Sequence, residues 1–273
     1  LALAQWASKT DASIIVLCGV HFMGETAKIL CPDKKVLVPD LNAGCSLADS
    51  CPADDFKKFV RNNPGYTVIS YVNTSAAVKA VTDVVVTSTN ARQIVESFPT
   101  EEKIIFGPDR NLGNYINSIT GRNMKLWDGA CHVHEEFSLE KILDLKKQYP
   151  DALILAHPEC KKVILMLADK IGSTAALLKY ATESSAKKFI VATESGILHE
   201  MKKSNPDKTF IPAPPNDSTC ACNECNFMRL NTMKKLYLTL KYELPEIKVD
   251  KDIADRAVLP IKKMLDISSK LGL

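Results

Sequence analysis

A spacing of about 86 residues recurs through this chain and constrains its fold more than any single motif. Cys45 precedes Cys131 by 86 residues, Tyr71-Val72-Asn73 precedes His157-Pro158-Glu159 by 86, and Ser88-Thr89 precedes Ser173-Thr174 by 85. Different landmarks that share nearly one period mark an internal repeat. Within each period short apolar runs alternate with amphipathic stretches. Residues 12–20, 66–72, 84–86, 104–106, 153–156 and 189–192 read as buried strands, with helical patterns between them. Strands alternating with helices predict parallel sheets covered by helices on both faces. The expected fold class is α/β, with repeated α/β/α sandwich units and four-stranded parallel sheets. The predicted units are residues 1–52, 53–137 and 138–225, followed by C-terminal helices over 226–273. The first unit is expected to be short by about one strand. In the tail, Phe227, Leu230, Met233, Tyr237 and Leu240 recur at helical spacing, and a last helix is predicted to start with Pro260 in its first turn.

Each unit also ends in a thiol. Cys45, Cys131 and Cys225 each follow a short apolar run and a polar loop. Three separated thiols on the same kind of loop suggest one shared metal centre with one ligand per unit. Thiolates suit zinc or an iron–sulfur cluster. Four would close a structural site, whereas three leave one position open for Lewis-acid chemistry. The rival reading is a local zinc clip at Cys220-x-Cys222-x-x-Cys225, which has no second Cys-x-x-Cys or His pair to complete it. Cys18, Cys31, Cys51 and Cys160 are expected to be small buried hydrophobes.

Composition narrows the function classes. A net charge of +3 gives no reason to propose nucleic acid as a partner. No apolar run approaches the roughly 20 residues of a membrane-spanning helix. Nine cysteines, an odd count without a secretory leader, favour a reducing cytoplasm over a disulfide framework. There is no G-x-x-x-x-G-K-[ST] loop and no G-x-G-x-x-G, so a nucleotide cofactor has no support.

Ligands of open α/β sheets bind at the carboxyl ends of the strands, where most of the remaining landmarks lie. His134 could serve as general acid or base, while His132 is expected at the surface. Glu159 either caps a helix or moves protons beside His157. Ser88 and Ser173-Thr174 precede helical segments, so their hydroxyls either cap the helices or bind an anion.

The quoted residues together resemble the quinolinate synthase family, over essentially the whole chain and in order. The resemblance is carried by residues 19–30, by Cys45-Ser46-Leu47-Ala48-Asp49 and by Tyr71-Val72-Asn73-Thr74-Ser75. Gly107-Pro108-Asp109, Cys131-His132-Val133-His134-Glu135, His157-Pro158-Glu159, Gly172-Ser173-Thr174, Ala192-Thr193-Glu194 and Cys225-Asn226-Phe227-Met228 carry it further. It implies three α/β domains about a pseudo-threefold axis and a [4Fe–4S] cluster held by Cys45, Cys131 and Cys225, with the fourth iron open. It implies condensation of iminoaspartate with dihydroxyacetone phosphate to quinolinate, phosphate and water, for de novo NAD biosynthesis. Tyr71, His134 and Glu159 would be catalytic; Tyr71, Asn73, Ser88, His157, Glu159, Ser173 and Thr174 would bind substrate. A transient encounter with the oxidase that makes iminoaspartate is a further expectation, and neither nucleic acid nor membrane is an expected partner. Two family features are not in the chain: a first strand with a His-x-Tyr pair and a following Asp-Ser, which Leu1 would come just after, and the first cysteine of Cys-x-x-Cys-x-x-Cys, where Thr219 stands. Other readings kept open are a three-cysteine iron–sulfur enzyme of the reductive dehydroxylase type and a non-catalytic zinc module.

Overall fold

The computed structural model describes residues 2–217 and 224–273. The chain opens with α1 (Ala2–Lys9), β1 (Ile14–Val16), α2 (His21–Leu30) and β2 (Lys35–Leu37). After Cys45 come α3 (Ser46–Asp49) and α4 (Ala53–Arg61). The second unit runs β3 (Thr67–Tyr71), α5 (Ala76–Lys79), β4 (Val84–Val86), α6 (Ala91–Glu96), β5 (Ile104–Gly107), α7 (Arg110–Thr120), β6 (Lys125–Leu126) and α8 (His132–Glu135). The third runs α9 (Leu139–Gln148), β7 (Leu153–Ala156), α10 (Lys162–Leu165), β8 (Lys170–Ile171), α11 (Thr174–Glu183), β9 (Lys188–Ala192), α12 (Ile197–Ser204), β10 (Thr209–Pro212) and α13 (Asn226–Arg229). Helices α14 (Met233–Tyr242) and α15 (Lys251–Lys270) finish the chain.

These strands form the parallel α/β sheets that the alternation predicts. Two four-stranded sheets have the orders β4-β3-β5-β6 and β8-β7-β9-β10, so each places its second, first, third and fourth strands in the same order. Their central strands are buried on both faces, as in Ile104-Ile105-Phe106, and the edge strand Val84-Val85-Val86 is also almost wholly inaccessible. Continuous apolar runs are what strands covered on both sides require. The repeat extends to single hydrogen bonds. Asp83 Oδ2 accepts from Val68 N (2.8 Å) while Asp83 N donates to Val68 O (2.9 Å). Asp169 makes the same reciprocal pair with Ile154, at 2.7 and 2.9 Å.

The first sheet contains only β1 and β2. β2 is followed by Cys45 as β6 is by Cys131, so this pair matches the third and fourth strands of the other sheets. Among the described residues this unit is two strands smaller than its neighbours, where about one was expected. A chain segment from beyond the units covers its edge: Leu37 and Glu246 form an antiparallel bridge, and Ile247 N donates to Val36 O at 2.8 Å.

The C-terminal reading needs two corrections. Pro260 does not open the last helix. α15 starts at Lys251, with Asp250 as N-cap accepting from Asp252 N (3.0 Å) and Ile253 N (3.2 Å), and Pro260 lies inside it. A proline in a helix interior costs about 3 kcal/mol. Here it belongs to a buried stripe of Ala257, Pro260, Ile261, Met264 and Ser268, whose apolar members join the core of the second unit, and that burial outweighs the cost. The apolar spacing from Phe227 to Leu240 spans two helices rather than one, because Thr232 caps α14 through Lys235 N (3.3 Å) and restarts the chain. Met233, Tyr237 and Leu240 on α14 face solvent. Periodicity reported a helix but not the side on which it is covered.

Seating α15 on β4 has a measurable consequence. Ile261→Ala should lower the unfolding free energy by roughly 2–5 kcal/mol. Leu259→Ala, on the exposed side of the same helix, should change it by less than about 0.5 kcal/mol. Urea denaturation of both variants makes the comparison, and equal effects would contradict this packing.

Candidate active site

The three cysteines occupy one local geometry. Cys45, Cys131 and Cys225 are the N-caps of α3, α8 and α13, each a helix of four residues, and each has extended backbone. An N-cap side chain faces the first free N–H groups of its helix, a setting that favours thiolate. Burial pushes the Cys45 thiol up to about 12, against the pull of the Ala48 and Leu47 N–H groups. Cys225 is also raised by burial, against the Met228 and Phe227 N–H groups, and both thiols feel Cys131.

Their loops meet. His132 Nδ1 lies 2.6 Å from Ser46 Oγ, and His132 N donates to the same hydroxyl at 3.2 Å. The Phe227 ring stands edge-on to the His132 ring, centroids 6.1 Å apart. The residues that follow Cys45 and Cys131, and the second after Cys225, are therefore in contact. His132, expected at the surface, is half-buried and joins two cysteine loops. Cys18, expected to be buried, is exposed, whereas Cys31, Cys51 and Cys160 are buried as expected. The proposed zinc clip cannot be compared, because Cys220 and Cys222 lie outside the described residues.

Beside Cys131 is a buried acid–base cluster assembled from two units. His134 Nδ1 lies 3.2 Å from Glu159 Oε2 and its Nε2 lies 3.1 Å from Thr193 Oγ1. Glu159 Oε1 is 3.6 Å from His157 Nδ1, and the two imidazole rings are 5.0 Å apart. Tyr71 is buried beside Glu159 and Ser88. Burial by itself would lower His134, but the charges of Glu159 and Cys131 outweigh it and raise the imidazolium well above its ordinary range. Burial would raise Glu159, yet His134, His157 and the Tyr71 hydroxyl hold it below the usual carboxylate range. His157 Nδ1 accepts from Glu159 N (3.4 Å), and burial brings this histidine down to about 4, so it stays neutral. Burial first, then the Glu159 charge, raises Tyr71, so it keeps its proton. One carboxylate thus faces two proton donors, Tyr71 Oη and His134 Nδ1. Such an arrangement can deliver and recover protons within a single pocket.

The capping alternatives separate. Glu159 caps no helix; Lys161 is the N-cap of α10. Ser173 caps α11 by accepting from Ala176 N (3.3 Å), whereas the N-cap of α6 is Asn90, so Ser88 caps no helix. Ser88 and Ser173 nonetheless line one cavity of about 180 Å³ between the second and third units. Thr174 is exposed and does not line it. Asn73 is half-buried on the loop after β3. The buried Lys79 pins that loop, donating to Val72 O (2.8 Å), Thr74 O (2.5 Å) and Thr74 Oγ1 (3.3 Å).

Lys79 was not singled out from the sequence, and neither was Asn111, which donates to Glu159 O (3.0 Å) and Glu135 Oε1 (2.5 Å). Thr193 was quoted only within the Ala192-Thr193-Glu194 motif, without a role. The available signal for Lys79 was position, six residues past Asn73.

For metals, two donor sets overlap at Cys131. The first is the three N-capping cysteines. Neighbouring, partly buried thiols repel one another as thiolates, and a cationic centre relieves this, so the set fits a thiolate-bound cluster. The second is Cys131, His134 and Glu159, whose donor atoms lie within 4.8 Å of one another. That set is already balanced as an imidazolium–carboxylate pair, and a metal would have to displace the His134 proton.

The pair gives a pH signature in metal-free protein. The contribution of lowered Glu159 is present above its ordinary value of 4.5 and is lost as pH falls through its folded value. The contribution of raised His134 is present below its ordinary value of 6.5 and is lost as pH rises through its folded value. The stability difference between the parent protein and Glu159→Gln, from urea unfolding, should therefore be largest between about pH 4.5 and 6.5. A difference independent of pH would mean the pair is not charged.

Comparison with known proteins bears on the whole chain. Residues 1–266 match the family described as Quinolinate synthetase A protein. A protein of Chloroherpeton thalassium named quinolinate synthase is 56% identical over 268 residues, covering 98% of this chain and 83% of that one. Proteins of the same name from Thermosynechococcus vestitus (55% identical) and Nostoc punctiforme (57%) each cover 98% of this chain, with 84% and 82% of their own lengths covered.

Proposed function

The chain belongs to the quinolinate synthetase A family of enzymes, and on that premise we propose that it condenses iminoaspartate with dihydroxyacetone phosphate to give quinolinate, phosphate and water. The observation that carries the proposal is that the loops of three N-capping cysteines touch through Ser46, His132 and Phe227, beside the Tyr71, Glu159 and His134 cluster. In this reading Cys45, Cys131 and Cys225 hold a [4Fe–4S] cluster with one iron free of protein ligands. When bound, that group supplies a Lewis acid where a hydroxyl must leave.

The chain's own residues account for binding and proton movement. Tyr71 keeps its proton on Oη and can offer it to negative charge that develops on the substrate. Glu159, held ionised, can take a proton from a carbon being made into a carbanion or enamine. His134, held as imidazolium, offers the Nδ1 proton and fixes the Glu159 carboxylate. Neutral His157 has its Nδ1 occupied by a backbone N–H, so its Nε2–H is free to hold a substrate oxygen. Ser88 and Ser173 face one cavity, a fitting place for phosphate or carboxylate oxygens. Asn73 can add an amide from the Lys79-pinned loop. Thr174, being exposed, has no support from the geometry as a substrate ligand. The low exposure of Tyr71, His134, His157 and Glu159 keeps water from a reactive imine.

A second reading follows from the 4.8 Å grouping of Cys131, His134 and Glu159: a single zinc ion at that site. Anaerobic purification with metal and sulfide analysis separates the two. The cluster reading expects about four iron and four sulfide per chain, lost in both Cys45→Ala and Cys131→Ala. The zinc reading expects metal that survives Cys45→Ala but not His134→Ala. With the cluster in place, Tyr71→Phe should keep iron and sulfide while lowering kcat by about 10²-fold or more; unchanged kcat would remove Tyr71 from the proton path.

A further inference from the structure

Two carboxylates that play no part in the mechanism above reach the main chain of two of the three cysteines. Cys131 N donates to Asp109 Oδ2 at 3.1 Å, and Cys225 N donates to Glu194 Oε1 at 3.2 Å. The two acids are equivalent in the repeat. Asp109 stands two residues past β5 and Glu194 two residues past β9, the third strands of their units, and they are 85 residues apart. Each spends its other oxygen on its own loop: Asp109 Oδ1 accepts from Leu112 N (2.9 Å), capping α7, and Glu194 Oε2 accepts from Gly196 N (2.8 Å). A cap or a local turn needs only one oxygen. The second oxygen in each case ties the loop after the third strand to the cysteine that closes the loop after the fourth. In the first unit the corresponding loop is Cys18-Gly19-Val20, which has no acidic residue.

We propose that Asp109 and Glu194 are positioning residues, a repeated carboxylate clamp that sets the main chain at Cys131 and Cys225 and so aims two of the three thiols at the shared centre. As regards the cluster, the proposal rests on the reading given under Proposed function. The clamp has two effects. It orients the ligand before metal arrives, and through Glu194 it places a carboxylate beside a ligating cysteine, which disfavours adding an electron to the centre. The third cysteine is held without such an acid, so the clamp makes the three ligands unequal.

The test uses Asp109→Asn and Glu194→Gln. An amide can satisfy one of the two N–H donors but presents its NH₂ to the other, so each variant keeps its shape and loses half of the clamp. Asp169→Asn is the control, because Asp169 also accepts a strand N–H but touches no cysteine. In metal-free protein, iodoacetamide labelling of each cysteine is followed by peptide mass spectrometry. Glu194→Gln should speed labelling of Cys225 several-fold and Asp109→Asn that of Cys131, with Cys45 unchanged in both and all three unchanged in Asp169→Asn. In reconstituted protein, both clamp variants should lose iron to a chelator roughly 10-fold faster or more, and Glu194→Gln should show a higher reduction potential by electron paramagnetic resonance titration. Should Asp109→Asn fail to fold, the half-buried Glu194 carries the test. Labelling rates that do not change selectively at Cys225 would overturn the clamp. Selective labelling in a protein that assembles no iron–sulfur centre would leave the clamp standing and overturn the proposed function instead.

Discussion

A carboxylate removed from water costs several kcal/mol unless it is paired and hydrogen-bonded, and around Glu159 that demand is met from several elements at once. Glu159 follows β7, His134 lies in α8, and Tyr71 ends β3. Thr193, just past β9, fixes the far nitrogen of His134. Because the partners belong to two different sheets, satisfying this one charge fixes how the carboxyl ends of those sheets face each other. Asn111 adds to the join through Glu135 and the Glu159 carbonyl. The same contacts that hold the units together also set the protonation states on which the proposed chemistry depends.

The placement of the three cysteines grows from an equally local rule. A cysteine placed immediately before a short helix is at its N-cap, where the first N–H groups have no backbone partner. Repeating that placement after β2, β6 and β10 gives three thiols in one orientation relative to their units. Burial is the main reason that the Cys45 thiol is raised, and the neighbouring Cys131 adds to it. The nearby histidine and carboxylate, by contrast, neutralise each other.

The C-terminal segment holds this arrangement from outside. It pairs with β2 at Glu246 and Ile247, and α15 then lies across β4 and α5 with Asn90 Nδ2 on Ser268 Oγ (3.1 Å). The first sheet, the smallest, gains an edge partner from this strap, and the second gains a cover for its core.

Read by itself, the sequence determined the alternation of strands and helices, the period of the repeat, the thiol closing each unit and the residue types around Tyr71, His134 and Glu159. These follow from local physics: buried parallel strands need continuous apolar runs, helices need amphipathic ones, and a duplicated unit repeats its landmarks at constant spacing. Only the tertiary structure decided which polar groups face each other. It showed that His132 ties two cysteine loops, that Ser173 caps while Ser88 does not, that Thr174 points away, and that Pro260 lies within a helix. It also decided that the stripe on α14 faces solvent. Apart from the local Ser173 cap, these depend on how segments far apart in the chain pack together, and such packing can overrule local preference.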